Sequence, residues 1–98
     1  MAGKVIWTLR SQADRKHILN YWMEHDKSNT YSKKLNRLFK EAAHLIKTYP
    51  NIGKPTDIEH VSVKIIRDYL MFYEISGGNI YILTIWDSRQ NPSKLRLR

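Results

Sequence analysis

The chain has 98 residues, the size of one small domain that must rely on a single tightly used core. Its 42% hydrophobic and 11% aromatic content excludes a disordered polar tract, and the absence of cysteine excludes disulfides and thiolate metal sites. Seventeen Lys and Arg against nine Asp and Glu leave a formal charge of +8, which draws polyanions or an acidic protein partner, or simply keeps a small protein soluble.

The chain starts MAGKVIWTL and then turns polar, with no apolar run long enough for a signal peptide or a membrane span, so a cytoplasmic location without membrane contact is expected. Residues 4–9 (KVIWTL) are β-branched and aromatic and predict a short strand. Ser11, with Asp14 three residues on, approximates a capping box and predicts the start of a helix. Along it Ile18, Leu19, Trp22 and Met23 share one face, until the polar run 25–29 ends it. A second helix is expected to start within 28–31. Its apolar stripe is Tyr31, Leu35, Leu38, Phe39, Ala42, Leu45, Ile46 and Tyr49, with Lys33, Lys34, Arg37, Lys40 and Lys47 on the other faces. Pro50 cannot continue this helix, and Ile52-Gly53-Lys54-Pro55 reads as a breaker.

After a loop over 56–60 the period changes. Residues 61–65 (VSVKI) alternate as a half-buried strand does, and 69–75 (YLMFYEI) and 80–86 (IYILTIW) predict two more. Ser76-Gly77-Gly78-Asn79 supplies the positive-φ residues of a tight hairpin. Tyr69, Met71 and Tyr73 share one strand face, while Leu70, Phe72 and Ile75 fall mainly on the other, and one of the two must be core. Residues 87–98 are polar and basic, Pro92 argues against a continued central strand, and 93–98 suit a disordered basic tail. The order β-α-α-β-β-β predicts an α+β fold over 1–98, a small, mostly antiparallel sheet with two helices packed on one face.

His17, His25, His44 and His60 lack the close helical spacing of a zinc motif, so no metal is expected, and His17 and His25 read as solvated. No Gly-rich nucleotide loop or nucleophile elbow is present, and no cofactor is expected. The basic residues carry more information. Lys64, Arg67 and Arg89 lie on or beside strands, and Lys94, Arg96 and Arg98 crowd the tail. Fixed cations on a rigid sheet bind phosphate and stabilise a pentavalent phosphorane, as a metal-free ribonuclease requires. Attack by a 2′-hydroxyl also needs a base and an acid, for which His60, Lys64 or a tyrosine are candidates. The candidate catalytic set is therefore Arg89, Arg67, Lys64 and His60. The same charges also fit the plain solvent face of a one-sided sheet. Tyr69, Tyr73 and Tyr81 offer a further alternative, stacking the bases of a single strand.

Three stretches carry a resemblance over nearly the whole chain: the helix exit LIKTYPNIGKP (with Leu45, Pro50, Gly53, Lys54 and Pro55), the strand pair YLMFYEISGGNIYILTIWD with FYEI at 72–75, and the closing SRQNP with Arg89. In this order and at these spacings they resemble the RelE/ParE toxin superfamily, which includes plasmid stabilisation proteins. The resemblance implies the toxin of a type II toxin–antitoxin pair, silenced by a cognate antitoxin whose acidic segment wraps it as a helix or extended strand. RelE-like members cut mRNA in the ribosomal A site, as mRNA interferases. ParE-like members are gyrase inhibitors that poison DNA gyrase and are not nucleases. RelE-like toxins commonly carry an arginine three residues before the strand tyrosine, here Tyr73, and that position is Leu70. They often end with a tyrosine or histidine–tyrosine pair after the last strand, and none follows Tyr81 here. Arg89 matches a family arginine, with Lys64 or Arg67 replacing others. The resemblance thus leaves open a ribosome-dependent endonuclease, a gyrase poison, and a degenerate member that only binds a protein partner.

Overall fold

The computed structural model describes residues 3–26, 29–95 and 97. Its first strand, β1 (Val5–Trp7), is shorter than the KVIWTL run because Thr8 turns the chain. The Thr8 hydroxyl accepts from the Ser11 N–H (3.2 Å) and donates to the Ile82 carbonyl (2.8 Å). It thereby caps α1 (Leu9–His25) and pins the helix start to the sheet. The cap expected at Ser11 is displaced by one turn. Ser11 is already helical, fully buried, and donates back to the Thr8 carbonyl (2.9 Å). Asp14 closes no capping box and instead accepts from the Thr84 hydroxyl, 2.5 Å away.

The second helix, α2 (Thr30–Thr48), follows its sequence period closely and buries Leu35, Phe39, Ala42, Ala43 and Ile46. Its Ser32 hydroxyl donates to the Leu19 carbonyl (2.9 Å) and ties it to α1. The helix ends ahead of Pro50, as a residue lacking an N–H demands. The breaker that follows contains a two-residue edge strand, β2 (Lys54–Pro55), not expected from its composition. Proline is tolerated there because an edge strand need not donate on its outer side.

Strands β3 (Val61–Ile66), β4 (Tyr69–Ser76) and β5 (Asn79–Asp87) form an antiparallel meander. Gly77 and Gly78, at φ 57° and 80°, make the two-residue loop between β4 and β5, the pattern of a type I′ turn. The sheet order is β1-β5-β4-β3-β2, with β1 parallel to β5 and the other pairs antiparallel. The α+β class and the β-α-α-β-β-β order therefore hold, with β2 a short addition.

Both helices cover the sheet face that carries Tyr69, Met71, Tyr73, Ile80, Ile82 and Ile85, and Leu35, Phe39, Ala42 and Ile46 close over it. Each large side chain buried there contributes roughly 1.5–3 kcal/mol. Ile75, expected on the opposite face, also packs against this cluster. The register keeps Ile80, Ile82 and Ile85 inside only because it slips by one residue: Tyr73 pairs with Ile82 and Phe72 with Thr84, so Leu83 is skipped. This bulge reverses the in–out phase of β5 midway. Beyond Ile82, where β1 stops, α1 runs beside β5, and the Asp14–Thr84 hydrogen bond fastens the two. Among the described residues no helix is long and apolar enough to cross a membrane. In the tail, Pro92–Lys94 forms one 3-10 turn, while Arg96 and Arg98 lie outside the described residues.

Candidate functional site

The four candidate catalytic residues do not converge. His60 precedes β3, in a left-handed conformation (φ 67°), with its ring exposed and 3.4 Å from the Glu59 carboxylate. Arg67 occupies the β3–β4 turn at the other end of the same strand, also left-handed (φ 57°) and exposed. Lys64 lies between them on the helix side, its register partner being Met71, beside Leu38 and Leu45 of α2. Arg89 follows β5 and shares Arg67's end of the sheet. The Ser88 N–H donates to the Asp68 carbonyl (2.9 Å) and joins the two turns. The structure thus puts Arg67 at the same end of the sheet as Arg89, lets Lys64 and Arg67 line one concavity beside α2, and sends His60 to the opposite end.

Two of the three candidate tyrosines, Tyr73 and Tyr69, are also reassigned. Tyr73 has no exposed surface, and its hydroxyl donates to the Pro50 carbonyl (2.7 Å) and accepts from the Gly53 N–H (3.0 Å). A Cβ on Gly53 would lie 2.7 Å from that hydroxyl and 2.8 Å from the Val63 carbonyl. The proline–glycine helix exit is therefore a clasp closed by a core tyrosine, and Tyr73 stacks on no base. Tyr69 is nearly as buried and packs edge-on to Phe39.

Around Tyr69 the structure opens a cleft of about 570 Å³. Asp14, His17, Ile18 and Tyr21 of α1 form one wall, at the i, i+3, i+4, i+7 spacing of a single helix face. Tyr69 and the end of β5 form the floor, and Arg89 and Gln90 the rim. The Tyr69 hydroxyl accepts from the Trp22 indole N–H (2.7 Å). Burial pushes its ionisation up, against the opposing effect of that hydrogen bond. Asp87, the register partner of Tyr69, accepts from Arg89 at three points: the backbone N–H and Nε reach Oδ1 at 2.9 Å each, and Nη2 reaches Oδ2 at 2.8 Å. This fork holds the Asp87 carboxyl below the ordinary carboxylate range, against the opposing effect of burial, and raises the Arg89 guanidinium further. Composition alone pointed to Arg89 but not to Asp87, since a lone acid beside a basic stretch makes no pattern. The helix face of Asp14, His17 and Tyr21 was missed, since Asp14 read as a cap residue and His17 as solvated, and its meaning depended on which strand lay beneath it.

On the sheet face opposite the helices, Leu70 stands in a cross-strand row with Ile65 and Trp86. Ile65 is 54% exposed and the other two are partly exposed. The position where RelE-like toxins commonly carry an arginine is thus the centre of an apolar row. A second groove runs between the helices over Leu19 and Met23, with Leu9 (86% exposed) at its edge and Arg15, Lys16 and Lys33 around it. Among the described residues no group of three or more His, Asp or Glu side chains could hold a metal.

A two-helix hairpin laid on a five-stranded mixed sheet, with a basic exterior, is the toxin fold of the RelE/ParE superfamily. Within it the chain belongs to the ParE toxin family: a sequence profile of the ParE toxin of the type II toxin–antitoxin system parDE matches residues 5–92. A solved structure of the chromosomal ParDE TA system from P. aeruginosa matches with a TM-score of 0.76 at 18% identity, over 86% of this chain and 94% of that one, a likeness of fold. A search of curated proteins returned no significant match.

Proposed function

We infer that this toxin acts by docking onto a protein, DNA gyrase, and performs no phosphodiester chemistry. The observation that carries the reading is the Ile65–Leu70–Trp86 row, where RelE-like toxins commonly carry an arginine. An apolar row with arginine nearby suits a protein contact, in which aromatic, aliphatic and guanidinium groups anchor the interface. The dispersal of His60, Lys64 and Arg89 points the same way, since proton transfer requires groups within hydrogen-bond reach of one phosphate. Gyrase as target places the action in the cytoplasm. The groove over Leu19 and Met23, rimmed by Arg15, Lys16 and Lys33, suits the acidic helix of a cognate antitoxin, and the +8 charge favours its capture.

The purified protein should inhibit gyrase supercoiling, and Leu70→Lys should abolish inhibition while leaving a cooperative thermal transition. Programmed ribosomes incubated with the toxin should retain intact mRNA. Codon-specific cleavage that disappears in Arg89→Ala, with supercoiling untouched, would sink the reading and restore the endonuclease.

A further inference from the structure

Arg89 is one of the cations that the sequence offers for phosphate, and it sits exposed at the rim of the cleft of about 570 Å³. Its guanidinium is nevertheless already engaged. The Nε and Nη2 edge, which would grip two phosphate oxygens, grips the two oxygens of Asp87 instead. The geometry is self-contained: Asp87 and Arg89 are separated by a single residue, and the Asp87 carboxylate also caps the Arg89 backbone N–H. Asp87 is itself held at the end of β5 opposite Tyr69, with its side chain only 21% exposed, so it is poorly placed to swing away. A phosphodiester arriving here meets a neutral pair, and to take the Nε and Nη2 edge it must break one bidentate ion pair to form another of the same kind. The exchange has almost no driving force, because a carboxylate and a phosphodiester each present one negative charge and two acceptors to the same fork.

We propose that Asp87 is an internal occupant of the Arg89 fork that excludes nucleic-acid phosphate from this cleft, and so sets the toxin's choice between polyanion and protein. The inference goes beyond the choice of gyrase and concerns the isolated protein, so its failure and the failure of the gyrase reading are separable.

The test is titration of a short fluorescently labelled single-stranded RNA with the full chain over a range of salt. Asp87→Asn keeps the shape of the side chain, removes its charge and frees the fork. Its affinity should rise about fivefold to tenfold, and the slope of log K against log salt should steepen by about 0.7, the value of one added phosphate contact to a single strand. The double variant Asp87→Asn/Arg89→Gln should return to the wild-type slope. Asp57→Asn, which removes one exposed negative charge near His60 at the other end of the sheet, should raise affinity less and leave the slope unchanged. A wild-type slope in Asp87→Asn, or a gain that survives in the double variant, overturns the proposal. Arg89→Gln alone gives an independent reading on an unaltered Asp87. It should keep the wild-type slope and lose no more affinity than Asp57→Asn gains, and a shallower slope would show that Arg89 already holds phosphate. Gyrase inhibition measured on the same proteins reports separately on the docking reading.

Discussion

Tyr73 and Tyr69 lie on the same face of one strand, in the same core, and end in opposite circumstances. The Tyr73 hydroxyl is saturated, donating to Pro50 and accepting from Gly53, with no surface exposed. The Tyr69 hydroxyl accepts from Trp22 and stands at the floor of an open cleft beside the Asp87–Arg89 fork. One end of the core is closed by neutral, fully matched hydrogen bonds, and the other by charges that face water. A residue in a recognisable stretch of sequence can thus serve the fold alone, while the surface open to partners is built from residues with no pattern of their own.

That contrast can be broken or sharpened by substitution. The largest loss is expected at Gly53→Ala, since the added methyl meets backbone and a buried ring that cannot yield. Overpacking of this kind costs about 3 kcal/mol, read as a lower denaturation midpoint at unchanged slope. Tyr73→Phe leaves the Pro50 carbonyl and the Gly53 N–H without their partner and should cost about 2 kcal/mol. Tyr69→Phe strands one indole N–H beside a cleft that water can reach, and about 1 kcal/mol is expected. Equal losses at the two tyrosines would erase the distinction between a closed end and an open one. Arg67→Gly relieves a left-handed turn residue and should stabilise by about 0.5 kcal/mol despite the greater freedom of unfolded glycine. Its midpoint should move upward, and a downward move would mean that the Arg67 side chain has a structural role.

The smallest effect concerns pH. The Arg89 hydrogen bonds hold the folded Asp87 carboxyl below its unfolded value of 3.8. The stability this contributes is complete above that unfolded value and is lost as pH falls through the lower, folded one. Wild type and Asp87→Asn should therefore differ at neutral pH and converge in strong acid. Parallel stability curves down the whole acid limb would show that the ion pair contributes nothing.

Helix α2 and strand β3 were legible because their periods are pure, β4 and β5 because their apolar runs are bounded by turn residues, and the Gly77-Gly78 loop because two adjacent glycines between strands have few other uses. Thr8 was hidden by being β-branched at the end of a β-branched run, so that it read as strand although its hydroxyl begins a helix. The bulge at Leu83 was hidden because a continuous apolar run such as IYILTIW fits either in–out phase. Edge strand β2 was hidden because pairing of so short a segment comes from the neighbour it meets rather than from its own residues. At the site, Arg89 stood out by charge and Tyr69 by type. Their relation to Asp87 and to α1 came from cross-strand register and from the parallel docking of β1, which no local pattern encodes.

That parallel docking also governs when the protein comes into being. Strand β1 pairs with β5, Val5 opposite Ile80, so the first strand to leave the ribosome waits for the last before it has a place in the sheet. Until then Val5 and Trp7 have no sheet partner, and Thr8 lacks the Ile82 carbonyl to which its hydroxyl donates. Closing so long a loop makes assembly slow relative to local helix formation. A chain that ends before β5 thus lacks both the Asp87–Arg89 cleft and Trp86 of the apolar row. The interval between synthesis and closure is a window in which a partner can meet it before it is armed.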